Sequence, residues 1–284
     1  METPIFRSTE GRDLVWSRYR SLLMPWVTPF EEHRVETSQG STFVLQSGRP
    51  GAPAVFLLHG SGSNTAMWAE EARILSRQFR VCSVDIIGEC GFSAPSRPPF
   101  QPGLYGDWLA EVMNGLGVSS AHLAGCSLGG WIALDALRNH AHRIRSVALL
   151  APAGLTPVRP SMVGWILWTA LAGSRGFRKL NRVVYGSSDI PPEALEFASL
   201  IRDQYRPRTG VLPLFRDEEL RSISAPLWYA GGEKDCFYDS ANAARRLNRL
   251  VPHARTRVLE NTGHVLLHQG EALMRFFLSP NHGT

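Results

Sequence analysis

Apolar positions in this chain recur in short, separated runs rather than in long stretches. Ala54 to Leu58, Val81 to Val84, His122 to Ala124, Ser146 to Leu150, Leu227 to Ala230 and Thr256 to Leu259 are each bounded by Gly, Pro or polar residues. Such runs read as buried strands, and helical patterns lie between most of them. Strand alternating with helix predicts a mostly parallel sheet of about eight strands with helices on both faces. Ahead of the buried runs, Asp13 to Met24 reads as an amphipathic helix, and Glu32 to Thr37 and Thr42 to Ser47 alternate as a hairpin across Gln39 and Gly40. The rhythm breaks once. From about Ala153 to Arg216 there are turn formers, helical patterns and the aromatic residues Trp165, Trp168 and Phe177, but no evident strand. The expected division is therefore a core made of residues 1–152 and 217–284, with a helical cap of residues 153–216 inserted into it.

Composition narrows the classes. With 284 residues, 44% hydrophobic and 19% charged, the chain can bury one large core. Its 30 cationic residues are 28 Arg and 2 Lys, Lys179 and Lys234, scattered without a run. That is a compositional bias rather than a nucleic-acid footprint. Met1 to Arg7 carries charge where a secretion signal needs an apolar core, and the longest apolar segment, Met162 to Ala172, is too short to cross a bilayer. Cys82, Cys90, Cys126 and Cys236 are spaced unlike a disulfide framework or a zinc site. A cytoplasmic protein with no membrane or nucleic-acid partner is expected, and the sequence carries no signal of oligomeric state.

One motif carries chemistry. Gly125 Cys126 Ser127 Leu128 Gly129 follows the run ending at Ala124 and precedes a strong helix former, Trp131 to Leu137. A serine between glycines where a strand turns sharply into a helix has the context of a nucleophile elbow. Its hydroxyl would project from a helix N-terminus, where unpaired N–H groups favour developing negative charge. In this chain order an acid and then a histidine should follow, each after a later strand. Leu227 to Ala230 runs into Gly231 Gly232 Glu233 Lys234 Asp235, and Arg257 to Glu260 into Asn261 Thr262 Gly263 His264. Upstream, Val55 to Leu58 runs into His59 Gly60 Ser61 Gly62.

Over roughly residues 30–275 these motifs, in this order, resemble the α/β-hydrolase superfamily and its capped carboxylesterase-like branch. The resemblance implies that Ser127 attacks a carbonyl carbon, that His264 takes and returns the proton, and that Asp235 fixes the imidazole. It also implies that the backbone N–H groups of Ser61 and Leu128 hold the oxyanion, with His59 as a hydrogen-bonding pillar of that turn. Asp239 and Glu233 compete with Asp235, and His268 competes with His264; spacing after the strand and the preceding Gly263 favour the first of each. The position after the sixth strand, used by some members for the acid, reads Ala151 Pro152 Ala153. His264 and His268 stand four apart, but Val265 occupies the place where a HExxH metal site needs glutamate, so neither metal nor other cofactor is expected. Cys126 and Cys236 read as small packed residues. The chain departs from the family in one loop, Asp85 to Ser93, which has one residue more between its glycines than the usual pattern and should be reshaped.

The expected substrate is a small to medium apolar ester, with Trp68, Met162, Trp165, Ile166 and Trp168 as candidate lining residues. The same apolar spacing also seals any helix onto a core. Other reactions run on this scaffold, among them those of thioesterases, lactonases, carbon–carbon bond hydrolases and biosynthetic cyclases, as does ligand binding without turnover. A haloalkane dehalogenase would carry aspartate in place of Ser127.

Overall fold

The structure, a computed structural model, describes residues 4–24, 29–186 and 190–279, with the side chains of 163, 165–172 and 174 outside the described set. Its centre is an eight-stranded sheet: β1 (Phe30–Thr37), β2 (Gly40–Gly48), β3 (Ala54–Leu58), β4 (Arg80–Val84), β5 (Ala121–Cys126), β6 (Ile144–Leu150), β7 (Leu227–Gly232) and β8 (Arg255–Leu259). The spatial order is β1-β2-β4-β3-β5-β6-β7-β8. β2 runs antiparallel to both β1 and β4, and every other pairing is parallel. The parallel fold expected from the alternating runs is thus the fold observed, with the hairpin as its antiparallel edge.

All five residues of β3 are buried, and they divide by the two-residue period of a strand. Ala54, Phe56 and Leu58 join the core on one face, with Trp108, Val112, Trp131 and Leu247. Val55 and Leu57 join the core on the other, with Val15, Leu75, Phe79 and Phe277. The first face is covered by α3 (Leu104–Gly115), α4 (Leu128–His140) and α8 (Ser240–Leu250), the second by α1 (Thr9–Leu23), α2 (Ala69–Leu75) and α9 (Gly270–Leu278). A strand covered on both sides shows no polar alternation, which is why these runs read as continuous.

Helix α1 begins four residues before the expected Asp13, because Ser8 caps it: the Ser8 hydroxyl accepts from Gly11 N–H at 3.0 Å. Gly11, Val15, Tyr19 and Leu23, four apart, form its buried stripe. Tyr19 ends in a buried polar hub. Its hydroxyl donates to the Asp85 carboxylate, 2.9 Å from Oδ1, while Thr65 N–H donates to Oδ1 and Phe92 N–H to Oδ2. Burial, followed by the neighbouring Asp85 charge, pushes the Tyr19 phenol well above its ordinary range. The Tyr19 and Phe92 rings stack at 4.5 Å, and Phe43 meets Phe92 edge-on. The loop from Asp85 to Ser93 is therefore held by a charged acceptor below and aromatic rings around it.

Between β6 and β7 lie α5 (Pro160–Tyr185), α6 (Pro192–Gln204) and α7 (Asp217–Arg221), with no strand among the described residues. Gly173 interrupts α5 with non-helical backbone angles. Both ends of α5 are tied to loops of the sheet. Arg159 N–H donates to the Phe237 carbonyl at 2.7 Å; at the far end, His264 and Val265 N–H donate to the Val184 carbonyl and Gly263 N–H to that of Tyr185. The N-terminal residues fasten the end of α6, with Arg7 N–H bonded to Gln204 O and Arg206 N–H to Ile5 O, each at 2.8 Å. No helix of the described residues is long and apolar enough to cross a membrane.

Replacing Tyr19 by Phe removes a buried hydroxyl from a carboxylate that stays buried, so Tyr19→Phe should lose about 1–3 kcal/mol of stability. Urea unfolding should show a lower midpoint at an unchanged slope; an unchanged midpoint would contradict the hub.

Candidate active site

β5 ends at Cys126 and α4 starts at Leu128, leaving Ser127 as the single residue of the turn. Its backbone sits at φ 51°, ψ −110°, a conformation that L-residues rarely adopt. The neighbours enforce it. Ser127 N–H donates to the Leu150 carbonyl, and the Ser127 carbonyl accepts from Trp131 N–H and Ala153 N–H, all at 3.0 to 3.1 Å. The flanking glycines are demanded by contact: a β-carbon at Gly125 would collide with the Gly129 carbonyl, and one at Gly129 with the carbonyl of Leu58. Strand, helix and neighbouring strand thus meet backbone against backbone.

Asp235 and His264 follow β7 and β8, and the parallel register carries both to the same sheet edge as Ser127. His264 Nδ1 lies 2.9 Å from Asp235 Oδ2, with both side chains buried. Asp235 Oδ1 accepts from Phe237 N–H at 2.7 Å and from Tyr238 N–H at 3.1 Å, which fixes the carboxylate plane. With Nδ1–H donated to the carboxylate, the neutral ring leaves Nε2 as its acceptor. The rings of Phe237 and Tyr238 pack on the imidazole at centroid distances of 4.6 and 5.5 Å, enclosing it in apolar surface. Asp239 instead caps α8, accepting from Asn242 N–H, and exposed His268 bonds Glu70. Glu233 accepts from Asn261 N–H at the surface. The structure therefore brings Asp235 and His264 together and leaves Asp239, Glu233 and His268 elsewhere.

The turn after β3 faces the serine. A β-carbon built on Gly60 would lie 3.6 Å from Ser127 Cβ. His59 Nε2 accepts from Ile86 N–H at 2.9 Å, so its Nδ1–H donates to the Gly60 carbonyl at 2.8 Å. Because a trans peptide sets C=O and N–H in opposite directions, fixing the Gly60 carbonyl also fixes Ser61 N–H. Among the described residues Ser61 N–H makes no hydrogen bond, and Leu128 N–H belongs to the first turn of α4, where helices leave donors unpaired.

Trp68 and Met162 are buried. The side chains of Trp165, Ile166 and Trp168 lie outside the described residues. Sequence reasoning missed Phe237 and Tyr238, whose only signal was their place directly after the acid. It missed Glu89 as well, a carboxylate between the two glycines of the loop after β4 that now lies buried beside the turn of Ser61. Among the described residues no group of three or more His, Cys, Asp or Glu is placed to hold a metal ion.

Glycine-enforced elbow, imidazole–carboxylate pair and eight-stranded sheet together define the class of protein. The chain belongs to the alpha/beta hydrolase family, which it matches over residues 55–276, in the carboxylesterase-like branch of that family. It is 30% identical over 284 residues to carboxylesterase YbfK of Bacillus subtilis (strain 168), covering 96% of this chain and 95% of that protein. The crystal structure of carboxylesterase CesB (YbfK) from Bacillus subtilis superposes with a TM-score of 0.83 at 29% identity, covering 95% of this chain and 98% of that one. Naproxen esterase (carboxylesterase NP) from Bacillus subtilis superposes with a TM-score of 0.85 at 29% identity, covering 95% of this chain and 99% of that one.

The four thiols are buried and held protonated. Burial pushes Cys82, Cys126 and Cys236 up to about 12, with the Asp235 charge adding to the last two, and raises Cys90 well above the usual range. Reaction with a disulfide reagent at pH 8 should therefore show no fast thiol in the native protein and four after unfolding, since the thiolate is the reactive form. A rapidly labelled native thiol would contradict this packing.

Proposed function

We propose that the protein is a serine carboxylic-ester hydrolase that works through an acyl-enzyme, with Ser127 as nucleophile, His264 as general base and acid, and Asp235 as the group that orients His264 and balances its charge. The observation that carries the assignment is the buried 2.9 Å pair of His264 Nδ1 and Asp235 Oδ2 at the sheet edge that also bears the elbow serine. Attack of Ser127 Oγ on the ester carbonyl passes the hydroxyl proton to His264 Nε2, and the carbonyl electron pair moves to oxygen. The N–H groups of Ser61 and Leu128 receive that oxyanion. Collapse expels the alkoxide, which takes the proton from His264 and leaves as the alcohol. Water, deprotonated by the same imidazole, then attacks the acyl-enzyme to release acid and regenerate Ser127.

Residues 153–216 act in this reading as a cap over the site, and Trp68 and Met162 supply apolar surface for a small to medium acyl or alcohol group. The 30% identity to a carboxylesterase over nearly the whole chain supports ester over thioester or lactone as the substrate class.

A fluorophosphonate probe should label the wild type and not Ser127→Ala. On nitrophenyl esters, Ser127→Ala and His264→Ala should each lose about 10⁶ in turnover and Asp235→Asn about 10⁴. His268→Ala should retain it. Labelling that survives Ser127→Ala, or loss on His268→Ala with His264→Ala active, would overturn the assignment.

A further inference from the structure

The loop from Asp85 to Ser93 packs against the turn of Ser61. The loop carries Glu89 into a buried position, 2% exposed. Its Oε2 accepts from Gly62 N–H at 2.6 Å, and its Oε1 lies 3.4 Å from the Ser61 hydroxyl. On its other side, the Tyr205 hydroxyl at the end of α6 lies 3.0 Å from Oε2 and 3.2 Å from the Gly88 carbonyl. Arg97 completes the cluster, with its guanidinium donating to Tyr205 Oη at 2.9 Å, to the Gly88 carbonyl at 2.9 Å and to the Arg206 carbonyl at 2.7 Å. No ion pair reaches the carboxylate among the described residues, and its acceptors are used on neutral donors.

Two peptide planes flank the Ser61 α-carbon, and each is pinned once. His59 holds the Gly60 carbonyl, which fixes the plane that contains Ser61 N–H. Glu89 holds Gly62 N–H, which fixes the plane on the other side. Gly62 adopts a φ of +66°, so the turn reverses at that residue and nothing in its own covalent geometry stops the Ser61–Gly62 plane from rotating. With the Gly62 bond removed, ψ of Ser61 loses the restraint on its own peptide plane, while His59 on the Gly60 carbonyl and the Cys90 thiol on the Ser63 carbonyl remain.

We infer that Glu89 is a positioning residue: its hydrogen bond to Gly62 N–H, backed by Tyr205 from the segment between β6 and β7, holds the Ser61 turn in the geometry that receives the oxyanion. Burial raises the Glu89 carboxyl above its ordinary value, which fits an acceptor chosen for geometry and not for surface charge. The inference rests on the proposed function, since it supposes that Ser61 N–H faces a reacting carbonyl oxygen.

The test uses 1,1,1-trifluoro-2-heptanone, whose carbonyl carbon bonds to the serine oxygen while its carbonyl oxygen becomes an oxyanion. It is applied to wild type, Glu89→Gln, Glu89→Ala and Glu89→Met, with active sites counted by fluorophosphonate titration. Glutamine keeps an oxygen acceptor for Gly62 N–H, so it should stay within about fivefold of wild type. Alanine and methionine should lose about 10- to 100-fold in kcat per titrated site with KM little changed, less than for outright loss of a donor. Affinity for the ketone should fall by the same factor as kcat/KM. A merely structural role would lower the titrated fraction and leave both values per site intact, and that result overturns the inference. Hydrogen exchange at the Gly62 amide of the wild type is a second measurement, independent of whether any variant folds: exchange should be slow, and exchange at the unprotected rate overturns the inference equally. Ketone affinity unchanged in Glu89→Met alongside Ser127-dependent labelling would defeat the role of Glu89 alone. Labelling independent of Ser127 would defeat the proposed function itself.

Discussion

The structure depends on three stretches of backbone meeting without side chains between them. The Leu58 carbonyl at the end of β3 faces Gly129 in the first turn of α4, and the Gly129 carbonyl faces Gly125 near the end of β5. Any β-carbon at either glycine would force α4 away from the sheet. That displacement would carry Ser127 with it, because its carbonyl anchors Trp131 and Ala153 while its N–H anchors to Leu150. The strained backbone of Ser127 is thus imposed by a close approach, and it persists because surrounding hydrogen bonds over-determine it.

A second constraint comes from the loop after β4, which holds the site without contributing to the imidazole–carboxylate pair. Asp85 gathers Tyr19, Thr65 and Phe92; Ile86 N–H fixes the tautomer of His59; Glu89 reaches Gly62. Helix α1, remote in sequence from the elbow, therefore supports the turn opposite Ser127 through a buried phenol and carboxylate. A close approach places the serine, while buried polar acceptors place the turn that faces it, and these are separate physical means.

The strands and the elbow were legible because their causes are local. A strand buried on both faces reads as a nearly continuous apolar run, and β3, Ala54–Leu58, is apolar at every position. The glycines around Ser127 announce the close approach directly. Distance from a strand end favoured Asp235 over Asp239, and the preceding Gly263 favoured His264 over His268; parallel strands deliver their C-terminal loops to one edge. What stayed hidden depends on tertiary contact. The start of α1 at Thr9 turned on a capping bond from Ser8, against a first turn with little apolar signal. The extra residue near Glu89 was visible as a departure in length, but its partners Gly62 and Tyr205 lie 27 and 116 residues away in the chain. The packing of Phe237 and Tyr238 on His264 depends on the path taken after Asp235, which the sequence does not spell out.

Helix α5 is fastened at its start to Phe237, two residues beyond Asp235, and at its end to the loop of Gly263 and His264, with its helical geometry broken at Gly173 between them. A beam clamped at both supports deforms as an arch, flexing at its weakest point while its footings stay put. Its footings are the same two loops that hold the carboxylate and the imidazole. A change of backbone angles at Gly173 leaves those bonds and the buried pair in place, whereas lifting either footing would break the hydrogen bonds that tie α5 to the loops of Asp235 and His264.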